Sequence, residues 1–143
     1  MDNDNYKPKI SIITVVKNNE KDIENNIQSL LNQTYKNYEH IIIDGNSTDK
    51  TIDILKKYNE KIHYWISEKD LSLYDAMNKG IKKASGEIIG ILNSDDIYYK
   101  DALMYVKNYF KKYKHIDFLF GTVIKHKKLH GFNPKKIYWS FGF

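Results

Sequence analysis

The sequence predicts an α/β fold, a doubly wound and mostly parallel sheet with helices on both faces. Three observations lead there. Short apolar runs of strand length alternate with stretches of helical periodicity. The polar connections between them are short, which suits strand–helix–strand units. No internal repeat, low-complexity stretch or linker interrupts the 143 residues, so a single domain spans 1–143, with 1–8 as a disordered N-terminus and 125–143 as an irregular basic tail.

The elements follow in order. Lys9–Val16 reads as a buried strand. Asn19–Thr34 reads as a helix with Ile23, Ile27, Leu30 and Leu31 on one face. Tyr38–Asp44 is a second strand, and Ser47 or Thr48 caps a helix to Tyr58 with Ile52, Leu55 and Tyr58 inward. Ile62–Ile66 is a short third strand. Ser72–Lys83 is a helix in which Leu73, Ala76, Met77, Gly80 and Ile81 share a face with Ala84. Glu87–Leu92 is a fourth, buried strand. Tyr99–Lys114 is a helix with Leu103, Val106, Phe110 and Tyr113 inward, and Phe118–Ile124 a further strand. Beyond it, Lys125–Asn133 reads as a loop or hairpin and Lys135–Trp139 as a short strand.

Composition removes several classes of function. There are no cysteines, hence no disulfide and no thiolate metal site. No apolar run approaches the roughly 18 residues of a spanning helix. The first residues, Met1-Asp2-Asn3-Asp4-Asn5, are unlike a signal peptide, and the expectation is a soluble cytoplasmic protein. All 23 basic residues are lysine, so bidentate arginine clamping of phosphate is not available. Residues 1–110 carry 15 lysines against 17 acids, whereas 111–143 carry 8 lysines against Asp117 alone. Such a tail suits an anionic surface, and the bland alternative is a solvated lysine-rich face. The sequence lacks G-x-G-x-x-G, a P-loop, H-E-x-x-H and a nucleophile elbow. His40 and His63 lie on or beside strands and read as structural. No nucleic-acid-binding motif accompanies the lysines, so a nucleic-acid partner is not expected.

Three loops follow strands and hold the chemistry. They are Thr14-Val15-Val16-Lys17-Asn18-Asn19, Asp44-Gly45-Asn46-Ser47-Thr48-Asp49 and Asn93-Ser94-Asp95-Asp96. In an open α/β sheet the C-terminal strand ends share one edge, where ligands bind. Adjacent carboxylates such as Asp95 and Asp96 repel, and a divalent ion holding a diphosphate satisfies both. The alternative is plain turn and N-cap chemistry. Asp44 can accept hydrogen bonds from a base or ribose, or close an Asx-turn, and Gly45 permits close backbone approach. Asp70 and Asp75 can reach the crevice, and Lys79 can neutralise phosphate charge.

With these residues in view, the sequence resembles the nucleotide-sugar-binding half of family-two glycosyltransferases. The carrying motifs are Ser11–Asn18, Ile42–Thr51 and Ala84–Asp96, supported by Tyr74-Asp75-Ala76-Met77-Asn78-Lys79-Gly80-Ile81, which looks like a branch making bacterial surface polysaccharides. The resemblance implies a Rossmann-like A-type glycosyltransferase fold truncated on the acceptor side. It implies that Thr14, Val16 and their loop line the nucleotide pocket, that Asp44 binds the base, and that Asp70 and Asn78 join the donor-binding set. Asp95 would meet the ribose or metal, and Asp96 would ligate Mg2+ or Mn2+ through the diphosphate. The implied reaction is transfer of a sugar from a nucleotide-diphosphate donor to the hydroxyl of a saccharide or lipid-linked acceptor, with inversion.

The sequence departs from the family in three places. Met77 stands where many members have Arg, and Asn93 where many have an acid. The family's general base lies on the acceptor side, and the expectation is that it falls beyond Phe143. A donor-binding module without transferase activity of its own is therefore the alternative. Two further expectations concern partners. The basic tail would contact the inner face of the plasma membrane, and Trp139, Phe141 and Phe143 would favour a homo-oligomer.

Overall fold

Strand β1 (Ile10–Val16) has β-branched residues at six of its seven positions, and six of the seven are buried. That suits a strand covered on both faces. In the computed structural model, which describes residues 5–121, 123–125 and 128–130, β1 lies at the centre of a four-stranded sheet. Around it come α1 (Ile23–Leu31), β2 (Tyr38–Asp44), α2 (Thr51–Lys57), β3 (Tyr64–Ser67), α3 (Leu73–Lys83), β4 (Ile88–Ile91) and α4 (Ala102–Lys112). The strand order is β3-β2-β1-β4 and every pairing is parallel. The chain winds outward from β1 to β3 and then returns to the far side of β1, the doubly wound topology expected. A hairpin of β5 (Val123–Lys125) and β6 (Lys128–His130) follows.

Period-two alternation sorts the core into two faces. Ile10, Ile12, Val16 and Ile42 pack against Ile23, Ile27 and Leu30 of α1, Leu55 of α2 and Leu103 of α4. Ile13, Ile41 and Ile43 point the other way and meet Ala76 of α3. Gly80 brings α3 down onto the sheet: a Cβ there would lie 2.4 Å from Cγ2 of Ile13. Gly80→Ala is therefore expected to overpack this face and cost about 1–3 kcal/mol, read as a lower Tm in thermal unfolding.

The N-terminal end of the sheet is braced by Glu39. It accepts hydrogen bonds from Ser11 Oγ (2.6 Å) and the Ser85 backbone N–H (2.7 Å), and pairs with Lys9 (2.6 Å). Burial pushes its pKa up, but Lys9, Ser11 and Ser85 together outweigh burial and hold the carboxyl at about 2.

Several expectations are corrected. Helix α1 starts at Ile23, not Asn19, because 19–22 form a turn tied to the neighbouring loop. Helix α2 starts at Thr51, whose N–H is accepted by Asp49, because Ser47 and Thr48 are engaged elsewhere. Leu73 and Ile81 of α3 and Tyr113 at the C-terminal cap of α4 are exposed, whereas Lys107 is buried. β4 is an edge strand among the described residues, so Ile89 and Ile91 are 45% and 42% exposed rather than buried. Phe118–Phe120 forms no strand. Ahead of β1, the Pro8 carbonyl accepts from the Tyr35 hydroxyl (2.7 Å) and the Lys7 carbonyl from the Asn37 side chain (2.8 Å). Trp139, Phe141, Phe143 and the strand expected at Lys135–Trp139 lie outside the described residues. No helix among the described residues is long and apolar enough to cross a membrane.

Candidate functional site

Because β1–β4 are parallel, the loops that leave their C-terminal ends rise from one edge. The first two are zipped together. The Asn18 backbone N–H donates to Ser47 Oγ (2.7 Å), and Asn18 Oδ1 accepts from the Thr48 N–H (2.8 Å). Further along, the Glu20 N–H donates to Asp49 (3.0 Å) and the Lys50 N–H to Glu20 (2.8 Å). Asn18 and Asn46 take left-handed backbone conformations, at φ 50° and 60°, where asparagine is among the few tolerated residues.

Asp44 closes β2 at the base of these loops and is fully buried. Its Oδ2 accepts from the Ser47 N–H (2.9 Å) and Ser67 Oγ (2.6 Å), and Oδ1 from Ser47 Oγ. These bonds satisfy three of the roughly four acceptor positions of a carboxylate. Ser67 ends β3, and the chain after it swings Asp70 over the second loop. A Cβ on Gly45 would sit 3.3 Å from Asp70 Oδ2 and 3.4 Å from the Lys17 side chain, so glycine makes room for the approach.

The loop after β4 carries Asp95 and Asp96, both exposed. Asn19 Nδ2 donates to Ser94 Oγ (3.1 Å), which links this loop to the first. Asn26 does more. It is fully buried on α1, and its Nδ2 donates to the carbonyls of Asn93 (2.8 Å) and Asp96 (2.9 Å). The turn closes with the Asp96 N–H donating to the Asn93 carbonyl (3.0 Å), and Asn93 Nδ2 reaches Asp96 Oδ2 (3.2 Å). Asp95 has no side-chain partner among the described residues.

This donor set can be weighed against a divalent cation. Among the described residues no cluster of three or more His, Cys, Asp or Glu side chains surrounds a point, which argues against a closed protein cage. Two exposed carboxylates on a pinned turn instead fit an Mg2+-type ion, which takes one or two carboxylates and completes its shell with water and substrate phosphate. The residues present fit the group in that form.

Other expected site residues lie elsewhere. Thr14 is fully buried, its Oγ1 3.0 Å from His40 Nε2, and Val16 is in the core against Ile23 and Ile27. Neither side chain faces the crevice, because alternation along β1 turns both toward the helix layer. Asn78 is exposed on α3, two residues from both buried Ala76 and buried Gly80, hence on the opposite side of the helix. Lys79 is not open to phosphate. Its ammonium contacts Asp70 (2.7 Å), Glu68 (2.7 Å) and Asp75 (3.4 Å), and the bonds to Asp70 and Glu68 raise its pKa further.

Asn26 and Ser67 are the residues that sequence reasoning missed. Asn26 had a signal: it is a polar residue inside the apolar stripe formed by Ile23, Ile27 and Leu30. Asn26→Ala is expected to unpair the Asp96 carbonyl, leave the Asn93 carbonyl with the Asp96 N–H alone, and cost about 1–3 kcal/mol. Faster hydrogen exchange at 93–96 than in β2 would report the loosened turn.

Comparison with known proteins bears on the whole chain. Residues 11–142 match the family model described as Glycosyl transferase family 2. A Bacillus subtilis protein named as a teichuronic acid biosynthesis glycosyltransferase, TuaG, is 39% identical over 102 residues, which is 69% of this chain and 40% of that one. The crystal structure of S. aureus TarS 1-349 in complex with UDP-GlcNAc superposes with a TM-score of 0.68 at 28% identity, covering 73% of this chain and 31% of that one. A mannosyltransferase from Pyrobaculum calidifontis shares the fold, with a TM-score of 0.61 at 24% identity over 66% of this chain and 29% of its own. The chain thus spans 40% or less of the length of these relatives.

Proposed function

Because this chain belongs to glycosyl transferase family 2, we propose that it binds a nucleotide-diphosphate sugar at the C-terminal edge of its sheet, as part of an inverting, metal-dependent glycosyltransferase of cell-surface polysaccharide synthesis. The observation that carries this reading is the linkage of four strand-end loops along one edge of the sheet. Asp44 is buried at the base of the second loop, Asp70 lies against Gly45 of that loop, and Asp95 and Asp96 are exposed on the loop after β4. The UDP-GlcNAc complex of the TarS relative supports a donor of this class.

Each residue has a chemical task in this reading. Asp95 and Asp96 would hold a divalent cation that carries the donor's diphosphate. When bound, that cation supplies positive charge where the leaving diphosphate becomes more negative, a task that no arginine can take here. Asn26 and Asn19 keep the two carboxylates in place, so that little reorganisation accompanies binding. Asp44 receives an N–H of the base by exchanging its Ser47 hydroxyl bond for the ligand. The first loop contributes backbone and Lys17, since the side chains of Thr14 and Val16 point into the core. The lysine-rich residues 111–143 suit an anionic membrane surface near a lipid-linked acceptor.

Isothermal titration of the chain with UDP- and GDP-sugars, with and without Mn2+, tests the reading. Binding that requires the metal is expected. A folded chain that binds none of these donors overturns it. Product formation with an added acceptor separates a transferase from a module that binds the donor without transferring it.

A further inference from the structure

The outer face of α4 is aromatic where a solvated helix carries charge. Its inner face is taken: Leu103 is buried, and Val106 and Phe110 pack with it against the core of Ile10, Ile12 and Tyr35. Its start is pinned, with the Leu103 N–H donating to Gln33 (3.0 Å) and Thr34 Oγ1 to Asp101 (2.8 Å). Tyr105, Tyr109 and Tyr113 follow one another at every fourth residue on the other side, the first two 64% and 47% exposed. The Tyr109 and Tyr113 rings lie 5.8 Å apart. A helix fixed in place thus leaves these rings outside. The exposure starts ahead of it, at Ile97 and Tyr99 just after Asp96, and resumes beyond it at Phe118 and Phe120.

Cations are interleaved with the rings. Lys112 and Lys114 are exposed, and Lys112 Nζ lies 5.0 Å from the centroid of the Tyr113 ring. Between Tyr105 and Phe120 the one acid is Asp117. An open depression of about 400 Å³ at the end of the helix is lined by Lys112, Tyr113, Lys114, His115 and Ile116, which leaves room for a phosphate headgroup between cations. These residue types suit the boundary between water and acyl chains. Tyrosine has an apolar ring and a polar tip, and lysine sinks its stem while its ammonium stays at the phosphates. A second copy of this chain fits less well, because two-fold pairing of this face sets Lys112 and Lys114 against the same lysines.

We propose that the outer face of α4 and the residues that follow it dock this chain on an anionic lipid surface, with the rings of Tyr105, Tyr109 and Tyr113 in the headgroup layer and Lys112 and Lys114 at its phosphates. The inference rests on the membrane contact drawn above from the lysine-rich residues and deepens it, since it names a helix face and adds an apolar contribution to the charge. The helix follows the loop that carries Asp95 and Asp96, so docking here brings the nucleotide-sugar site to the lipid surface.

Co-sedimentation with phosphatidylglycerol vesicles and with phosphatidylcholine vesicles tests it, using the parent chain, Tyr105→Ser/Tyr109→Ser, Tyr105→Phe/Tyr109→Phe and Lys112→Gln/Lys114→Gln. The parent is expected to prefer phosphatidylglycerol. The serine pair and the glutamine pair are each expected to weaken that binding about tenfold or more, and the phenylalanine pair to keep it. All four positions are exposed, so thermal unfolding should show little change. The chain has no cysteine, so Tyr105→Cys and, on α3 in the opposite layer, Lys82→Cys can each carry a single polarity-sensitive dye. A blue shift on phosphatidylglycerol is expected at position 105 and none at position 82. Vesicle binding that the serine pair leaves unchanged, or equal shifts at the two positions, overturns docking by α4 and leaves the lysine-rich reading standing. A folded parent chain that sediments with neither lipid, or equally with both, overturns both. Donor binding is read separately, by titration with UDP-GlcNAc and Mn2+, and is expected to be the same in the parent and the serine pair.

Discussion

Replacing Asp95 and Asp96 together by alanine is expected to abolish metal-dependent nucleotide-sugar binding while leaving the fold unchanged. The reason lies in how the turn is built. Its geometry is set by backbone carbonyls of Asn93 and Asp96 held by Asn26, and these survive the substitution. The two carboxylates are exposed, and the side-chain bond lost with them is the Asn93 Nδ2 contact to Asp96. Exposed sites of this kind change stability within about ±0.5 kcal/mol. Binding is another matter. Removing residues that merely support metal ligands costs about 10–100-fold, and removing both ligands should exceed that range. Calorimetry with Mn2+ gives the affinity and thermal unfolding the stability. Retained metal-dependent binding by the folded variant would remove the aspartate pair from the site.

The second large effect is acid lability centred on His40. This ring is buried between β1 and the helices, with Nε2 3.0 Å from Thr14 Oγ1, while its backbone N–H donates to His63 Nδ1 (3.1 Å). Burial, helped by repulsion from His63, holds its pKa down to about 3. In the unfolded chain the imidazole titrates near 6.5. Below that value the unfolded state takes up a proton that the native state refuses, so stability falls as pH drops from about 6.5 toward about 3. The loss reaches on the order of 4 kcal/mol, a large part of a typical domain's stability. Glu39 acts in the same direction lower down. Its depressed pKa contributes stability above the ordinary carboxylate range that disappears as pH falls from about 4.5 to about 2. Urea unfolding between pH 7 and pH 4 should show the decline, and His40→Gln should flatten it. A parent chain equally stable across that interval would contradict this account.

Much of the architecture was legible because it rests on periodicity. β1 and β2 were read to within a residue, since the β-branched run of β1 and the Ile41-Ile42-Ile43 centre of β2, each bounded by polar loops, admit little else. The edge where the loops meet followed from parallel topology alone. The exposure of Asp95 and Asp96 at the end of β4 followed as well. The direction of Thr14 and Val16 was available in principle, because both share a parity with Ile10 and Ile12. Motif resemblance drew them to the crevice, while alternation placed them in the core.

What stayed hidden involves partners far apart in the chain. Asn26 reaches Asn93 and Asp96 across 67 and 70 residues, and Ser67 reaches Asp44 across 23. Lys79 looked free for phosphate until folding set Glu68, Asp70 and Asp75 around it. By itself the sequence determined the strand and helix order, the parallel sheet and the edge that carries the carboxylates, because hydrophobic period and loop length act locally. Only the tertiary structure decided which polar side chains are spent on each other and which remain for a ligand. Hydrogen bonds and ion pairs depend on ångström-scale register between segments that periodicity leaves unspecified. Of Asp44, Asp70, Asp95 and Asp96, it is that register which buries the first, pairs the second with Lys79 and leaves the last two in solvent.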